Sequence, residues 1–322
     1  LPEKWEHLAS PDFKVGGSSD RRVGFVDLAP TLLSIAGQKP PAHFQGHAFL
    51  GKHQAPEQEY GYGFRGRMDE RYDMVRSVVG KRYVYVRNYM PHKLYGQHVG
   101  YMFVTTTTQV WKRLFDEGKL NHAQSHFWKT KPPEELYDLE NDPDEVINLA
   151  KSKDHVEVLK KMRLAHVDHL KKIIDVGFLP EGEIHQRSKG ITPYEMARTE
   201  KYPFQRIMLA ADLASGLSPW ATKPLIGYLR DNDSAIRYWG AMGLLMRGKQ
   251  GVKLGSKHLE KALLDDSPYV RVVAAEALGT YGSKEQIKLA VKTLGELANP
   301  IPNGCFPSML AMNAIDHLDD KA

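Results

Sequence analysis

The chain holds one cysteine in 322 residues, Cys305. An internal disulfide is thereby excluded, and no Cys/His spacing of the structural-zinc kind is present. No apolar run approaches the roughly 18 residues that a helical membrane span needs. There is no block of basic residues. The net charge of +5 comes from Lys and Arg spread along the chain, which suits an anionic ligand without demanding one, and no nucleic-acid motif accompanies it. A basic-then-apolar leader is also missing. The opening Leu1-Pro2-Glu3-Lys4-Trp5 reads as the middle of a longer polypeptide, so a preceding N-terminal portion is expected. What is present is ordinary globular composition, 42% hydrophobic and 26% charged, in a chain long enough for two domains.

Asp27-Leu28-Ala29-Pro30-Thr31-Leu32-Leu33-Ser34-Ile35-Ala36-Gly37 has the punctuation of a short helix: a capping Asp27, Pro30 in the first turn and a closing Gly37. From Arg71 to Asn88 the apolar period changes to two, predicting a β-hairpin that turns near Val79-Gly80-Lys81. Thr105 to Phe127 reads as an amphipathic helical stretch rich in aromatics. Glu135-Leu136-Tyr137-Asp138 is a strand candidate before the turn Asn141-Asp142-Pro143-Asp144. Val156 to Ile174 is a helix with Val156, Leu159, Met162, Val167 and Leu170 along one side.

Beyond Gly177 to Pro203, where Gly, Pro and charged residues interrupt every pattern, the sequence repeats. Leu229, Asp231, Ile236, Arg237, Ala241 and Leu244 recur 34 residues later as Leu263, Asp265, Val270, Arg271, Ala275 and Leu278. Each unit reads as helix, Asp-containing turn, and a second helix whose Gly240, Ala241 and Gly243, or Ala274, Ala275 and Ala277, allow close packing. Weaker copies flank them at Gln205 to Ala214 and Met309 to Leu318. Paired helices at this period predict a HEAT-like α-solenoid of three to four units.

Two segments, with the hairpin between them, carry a family resemblance. Phe25-Val26-Asp27-Leu28-Ala29-Pro30-Thr31-Leu32-Leu33 resembles the helix that follows the catalytic core in type I, formylglycine-dependent sulfatases. Glu135-Leu136-Tyr137-Asp138-Leu139-Glu140-Asn141-Asp142-Pro143-Asp144-Glu145, closing with Asn148-Leu149-Ala150, resembles the signature near the end of that fold. The stretch between Asn88 and Glu134 is most similar to the branch containing heparan N-sulfatase and bacterial glycan sulfatases. The fold class expected is α+β: a sulfatase C-terminal subdomain, with a small antiparallel sheet and helices, over residues 1–175. A linker (176–203) then leads to an all-α HEAT-like solenoid over 204–322.

The resemblance implies a sulfuric ester hydrolase of sulfated glycans, using Ca²⁺ and a formylglycine made from Cys-x-Pro-x-Arg, exported to the periplasm or beyond. Neither cofactor site is expected within this chain, which is predicted inactive alone. Cys305-Phe306-Pro307-Ser308-Met309 has Met where the motif has Arg, and Cys305 is expected to pack against the last helices. The implied partners are a missing N-terminal sulfatase domain, a glycan substrate and a protein partner of the repeats, with no nucleic acid. The alternative is a non-catalytic binding module built from a sulfatase remnant.

Candidate substrate contacts are Arg65, Arg67, Asp69 and Arg76. A guanidinium offers a planar fork of donors suited to sulfate oxygens; the plainer reading of the cluster around Arg65 to Arg71 is a solvated loop with internal ion pairs. His92, His98, His122 and His126 are scattered without a completing carboxylate, and Asp231 and Asp265 read as turn and cap residues.

Overall fold

A computed structural model describes residues 2–9 and 13–319. Helix α1 occupies Leu28–Ile35, with Pro30 in its first turn and Gly37 beyond it at φ 74°, a left-handed conformation that only glycine adopts freely. Asp27 does not cap α1. Its carboxylate instead accepts from the backbone N–H of Gly24 and of His47. The hydroxyls of Thr31 and Ser34 accept from Phe49 and His53 in the same way, so the polar edge of α1 holds the loop that follows it.

Four strands, β1 (Gly61–Met68), β2 (Arg71–Val79), β3 (Tyr83–Asn88) and β4 (Glu134–Asp138), form an antiparallel sheet in the order β1-β2-β3-β4. The β2–β3 hairpin and β4 stand where the period-two pattern puts them. Strand β1 has no such pattern. Gly61, Gly63 and Gly66 dilute its β-propensity, and pairing with β2 along the sheet edge supplies what local preference lacks. Between β1 and β2 the chain reverses through Asp69 at φ 45°, a left-handed position that Asp tolerates better than most residues.

The aromatic stretch is not one helix. Helix α2 (Thr106–Asp116) ends before Gly118, at φ 67°, and a single turn, α3 (His122–Ser125), follows. Helix α4 covers Val156–Ile173. Residues 176–203 are not extended chain. They fold into a 3₁₀ turn, α5 (Glu181–Arg187) and α6 (Pro193–Met196), with Phe178, Leu179 and Met196 buried. Pro180 and Pro193, which read as breakers, stand at the starts of those helices, where no backbone donor is lost. Then come α7 (Phe204–Ser215), α8 (Thr222–Tyr228), α9 (Ser234–Met246), α10 (Gly248–Ala262), α11 (Pro268–Tyr281), α12 (Lys284–Leu297), α13 (Pro300–Asn303) and α14 (Cys305–Leu318).

Packing divides the chain into two units. The first comprises Leu1–Gly63, Arg76–Val86 and Glu135–His169. Its core is Val78, Tyr85, Leu136, Leu159 and Met162. The Glu135–Ala150 segment is bound up by its own polar residues. Asn148 Oδ1 accepts from the N–H of Leu136 and of Ala150, and the Leu149 N–H returns to the Leu136 carbonyl at 2.7 Å. Asp142 accepts from Val146 and Ile147, while Arg82 grips Asp138 bidentately at 2.6 and 2.7 Å. Asp138, Asp142 and Asn148 of the signature thus have structural tasks.

The second unit comprises Phe64–Val75, Arg87–Glu134 and Leu170–Ala322. Here α7, α9, α11 and α14 pack in succession, with α8, α10 and α12 against them. Small residues set the approach. A Cβ on Gly240 would lie 2.9 Å from the Leu225 carbonyl oxygen, and one on Gly243 would lie 2.8 Å from the Leu225 side chain. Asp231 and Asp265 each bond the backbone N–H two residues on, as turn residues do. They also join successive pairs of helices, Asp231 to Arg206 at 2.7 Å and Asp265 bidentately to Arg237. Arg247 donates to the carbonyls of Leu213 and Ala214, satisfying acceptors that the end of α7 leaves open.

Candidate functional site

Three arginines of β1 and β2 reach one charged region of the second unit. Arg65 donates to the Tyr95 carbonyl at 3.1 Å and lies 3.7 Å from Asp73. Arg67 bonds Glu181 of α5 at 2.6 Å and touches the Met309 sulfur. Arg71 is held at three points: the His98 carbonyl, Asn313 Oδ1 and Asp316 Oδ2, at 2.6, 3.0 and 2.6 Å. Asp69 occupies the turn. Arg76 falls in the first unit, with only 9% of the residue exposed. Arg65, Arg67 and Asp69 thus lie on one segment, β1 and the turn after it, whereas Arg76 lies on β2.

Local sequence did not reveal the carboxylates that meet these arginines, because Glu181 and Asp316 lie more than a hundred residues away. Nor did it reveal the cluster next door. Lys131 and Asp73 form a pair at 3.0 Å, each side chain 1% exposed. The Lys131 ammonium also donates to the carbonyl of Lys93. Burial pushes the Lys131 pKa down, and Asp73 opposes that shift. Lys93 Nζ stands 3.0 Å from both Glu276 Oε1 and His317 Nδ1, which are themselves 3.0 Å apart. Burial works against an ionised Glu276, but the charge of Lys93 and the hydrogen bond to His317 outweigh it and hold its pKa far below the carboxylate range. Beside them His92 has both ring nitrogens buried without a hydrogen-bond partner. Burial first, then the Lys93 charge, drives its pKa well below normal, so the ring is neutral.

Chemically this region stabilises fixed charge. Asp73, Glu181, Glu276 and Asp316 each already have a cation at contact distance. His126 is taken up by Tyr95, ring centroids 4.5 Å apart. Trp111 stacks on Phe127 at 4.8 Å with Trp128 edge-on at 5.2 Å, beside an open groove of about 500 Å³ lined by Thr106, Thr107, Val110, Leu114 and Leu120. Cys305 is exposed at the start of α14, not packed against the last helices. Among the described residues no group of three or more His, Cys, Asp or Glu is arranged to hold a metal.

Over 168 residues, 52% of its length, the chain is 40% identical to an ulvan-active sulfatase of Formosa agariphila. Half of this chain is sulfatase-like. A second ulvan-active sulfatase of the same organism is 31% identical over 165 residues. The matched stretches are 28% and 30% of those relatives, so the chain spans under a third of their length. Two solved structures share 45% of this chain. One is a 2-O GAG sulfatase (24% identical, 24% of that chain, TM-score 0.29). The other was solved with D-glucosamine-2-N,6-O-disulfate (14% identical, 23% of that chain, TM-score 0.28). Scores that low carry no argument about the fold. No family model matches the chain.

Proposed function

We propose that this chain is the C-terminal part of a sulfatase acting on sulfated glycans, with the nucleophile and its calcium ion supplied by sequence outside it. The observation that carries the reading is the 40% identity over 168 residues to an ulvan-active sulfatase. In this reading residues 1–175 form the sulfatase subdomain, and 204–322, reached through 176–203, form a HEAT-like solenoid that meets a protein partner. The working compartment is the periplasm or the exterior. Arg65, Arg67, Asp69 and Arg76 are the proposed substrate contacts. Arg65, with 35% of its side chain exposed, is the best placed to meet a sulfate; Arg67 meets one only by releasing Glu181.

The test is sulfate release from ulvan, measured for this chain alone and for the polypeptide encoded by the complete reading frame. Release by the longer polypeptide alone, weakened at least tenfold by Arg65→Ala, is expected. A complete frame without Cys-x-Pro-x-Arg or its Ser counterpart, and without sulfate release, overturns the reading. A non-catalytic binding module is then the better description, which the carboxylate-occupied arginines Arg67 and Arg71 favour.

A further inference from the structure

Helices α10 and α12 carry the same pattern on their outer faces. In α10, Lys249, Lys253 and Lys257 follow one another at four-residue steps, with Leu254 after the second lysine; Lys261 extends the row. In α12, 35 residues on, Lys284, Lys288 and Lys292 do the same, with Leu289 after the second lysine. All seven lysines are exposed. They stand two residues from Gly251, Gly255 and Leu259 in α10, and from Ala290 and Leu294 in α12, which is the opposite side of each helix from its buried stripe. Leu254 and Leu289 are 60% and 50% exposed beside them. The two helices touch directly: Gln286 Nε2 donates to Ser256 Oγ at 2.6 Å and to Glu260.

This pattern opposes helix stability. Like charges four residues apart repel, by about 0.2–0.5 kcal/mol per pair; Glu260, Glu285 and Glu296 stand three or four residues from Lys257, Lys288 and Lys292, but among the described residues no ion pair joins them. Lys112 of α2, by contrast, has Asp116 one turn on at 2.5 Å. Ammonium groups at four-residue steps recur about every 6 Å along a helix axis, and packed helices run roughly 8–10 Å apart. The result is a two-row grid of cations with an apolar side chain in the middle of each row. Such a grid matches a linear polymer carrying one anionic group per residue or two, with apolar sugar faces between them.

We propose that the outer face of α10 and α12 binds a sulfated polysaccharide chain, holding the polymer away from the residues that act on it. The choice of a sulfated polysaccharide among polyanions rests on the sulfatase reading above. Point charges on flexible stems, without a bidentate fork or a shaped cavity, grip polymer density and charge but do not select one sugar.

The experiment uses the full 322-residue chain and three probes: ulvan, chemically desulfated ulvan and double-stranded DNA, followed by affinity electrophoresis over a salt series. Ulvan is expected to retard the chain, desulfated ulvan is not, and DNA is expected to bind more weakly than ulvan. In the quadruple variant Lys253→Gln, Lys257→Gln, Lys288→Gln, Lys292→Gln the affinity falls at least tenfold. Its log-affinity against log-salt slope flattens by about 3, at roughly 0.7 per cation lost. Glutamine keeps the helix preference of lysine, so the thermal midpoint stays or rises as like charges are removed. A folded quadruple variant that binds ulvan as the parent does overturns the proposal. So does DNA binding as tight as that of ulvan, or no retardation of the parent chain. The two readings separate cleanly. Ulvan binding without sulfate release by the complete polypeptide sinks the sulfatase reading alone, and release without binding at this face sinks the lysine grid alone.

Discussion

Lys131 and Asp73 face each other across 3.0 Å with both side chains 1% exposed, a charge pair removed from water between a strand and a loop 58 residues away. The Lys131 ammonium completes its coordination on the backbone carbonyls of Lys93 and Leu94. A buried pair of this kind is costly to break and cheap to replace, because each ion alone bears the full penalty of burial.

Lys131→Met is therefore expected to destabilise the chain by about 3–5 kcal/mol, leaving Asp73 charged and buried. The double variant Lys131→Met, Asp73→Leu recovers most of that loss. Urea denaturation of the three proteins decides the point; a single substitution as mild as the double one rules the argument out.

Glu276 predicts an acid dependence. Its folded pKa lies below the 4.5 of an ordinary glutamate because Lys93 and His317 favour the ionised form over the opposing effect of burial. The contribution to stability is complete above 4.5 and is lost progressively as pH falls toward the folded value, since the unfolded chain binds the proton first. Glu276→Gln should lower stability at pH 7 and flatten the decline between pH 5 and pH 3. Thermal midpoints across that range would show parallel curves if the argument is mistaken.

Phe25, Val26, Leu28 and Leu32 form an apolar face at and before α1, exposed by 93%, 58%, 44% and 66%. Contiguous apolar surface of this sort seeks cover. Phe25→Ser with Leu32→Lys is expected to reduce self-association of the chain, read as mass by light scattering at increasing concentration. Residues 1–175 alone should aggregate or dimerise; a monodisperse, cooperatively unfolding monomer is the contrary result.

Leu136 is fully buried in the core of the first unit; its carbonyl accepts from the Leu149 N–H and its own N–H donates to Asn148 Oδ1. Leu136→Ala should cost about 2–5 kcal/mol through lost contacts and the cavity left behind. A midpoint shift below 1 kcal/mol in chemical denaturation would mean that the site collapses around the smaller side chain.

Much of this was legible in residue order. The β2–β3 hairpin, β4, α1 and α4 follow from short-range periodicity and from proline and glycine placed where local geometry wants them. The 34-residue recurrence pointed to paired helices, and Asp231 and Asp265 do serve the turns assigned to them. Strand β1 has no mark in residue order because its glycines carry no strand signal, and the aromatic stretch has the pattern of one helix because amphipathicity continues past the break at Gly118. The lysine rows of α10 and α12 make a surface only once each helix has a buried side, so four-residue spacing alone does not mark them.

Sequence by itself determined α1, α4, the paired helices of the 34-residue recurrence, the hairpin and the sulfatase likeness, all of which rest on neighbours in the chain or on spacing one helix can express. Tertiary structure alone decided that Arg67 meets Glu181, that Arg71 meets Asp316, and that Lys93, Glu276 and His317 form one triangle. A guanidinium looks the same in sequence whether it faces a sulfate or a carboxylate. Which of the two it meets depends on what the fold brings beside it, and Asp316 reaches Arg71 from 245 residues away.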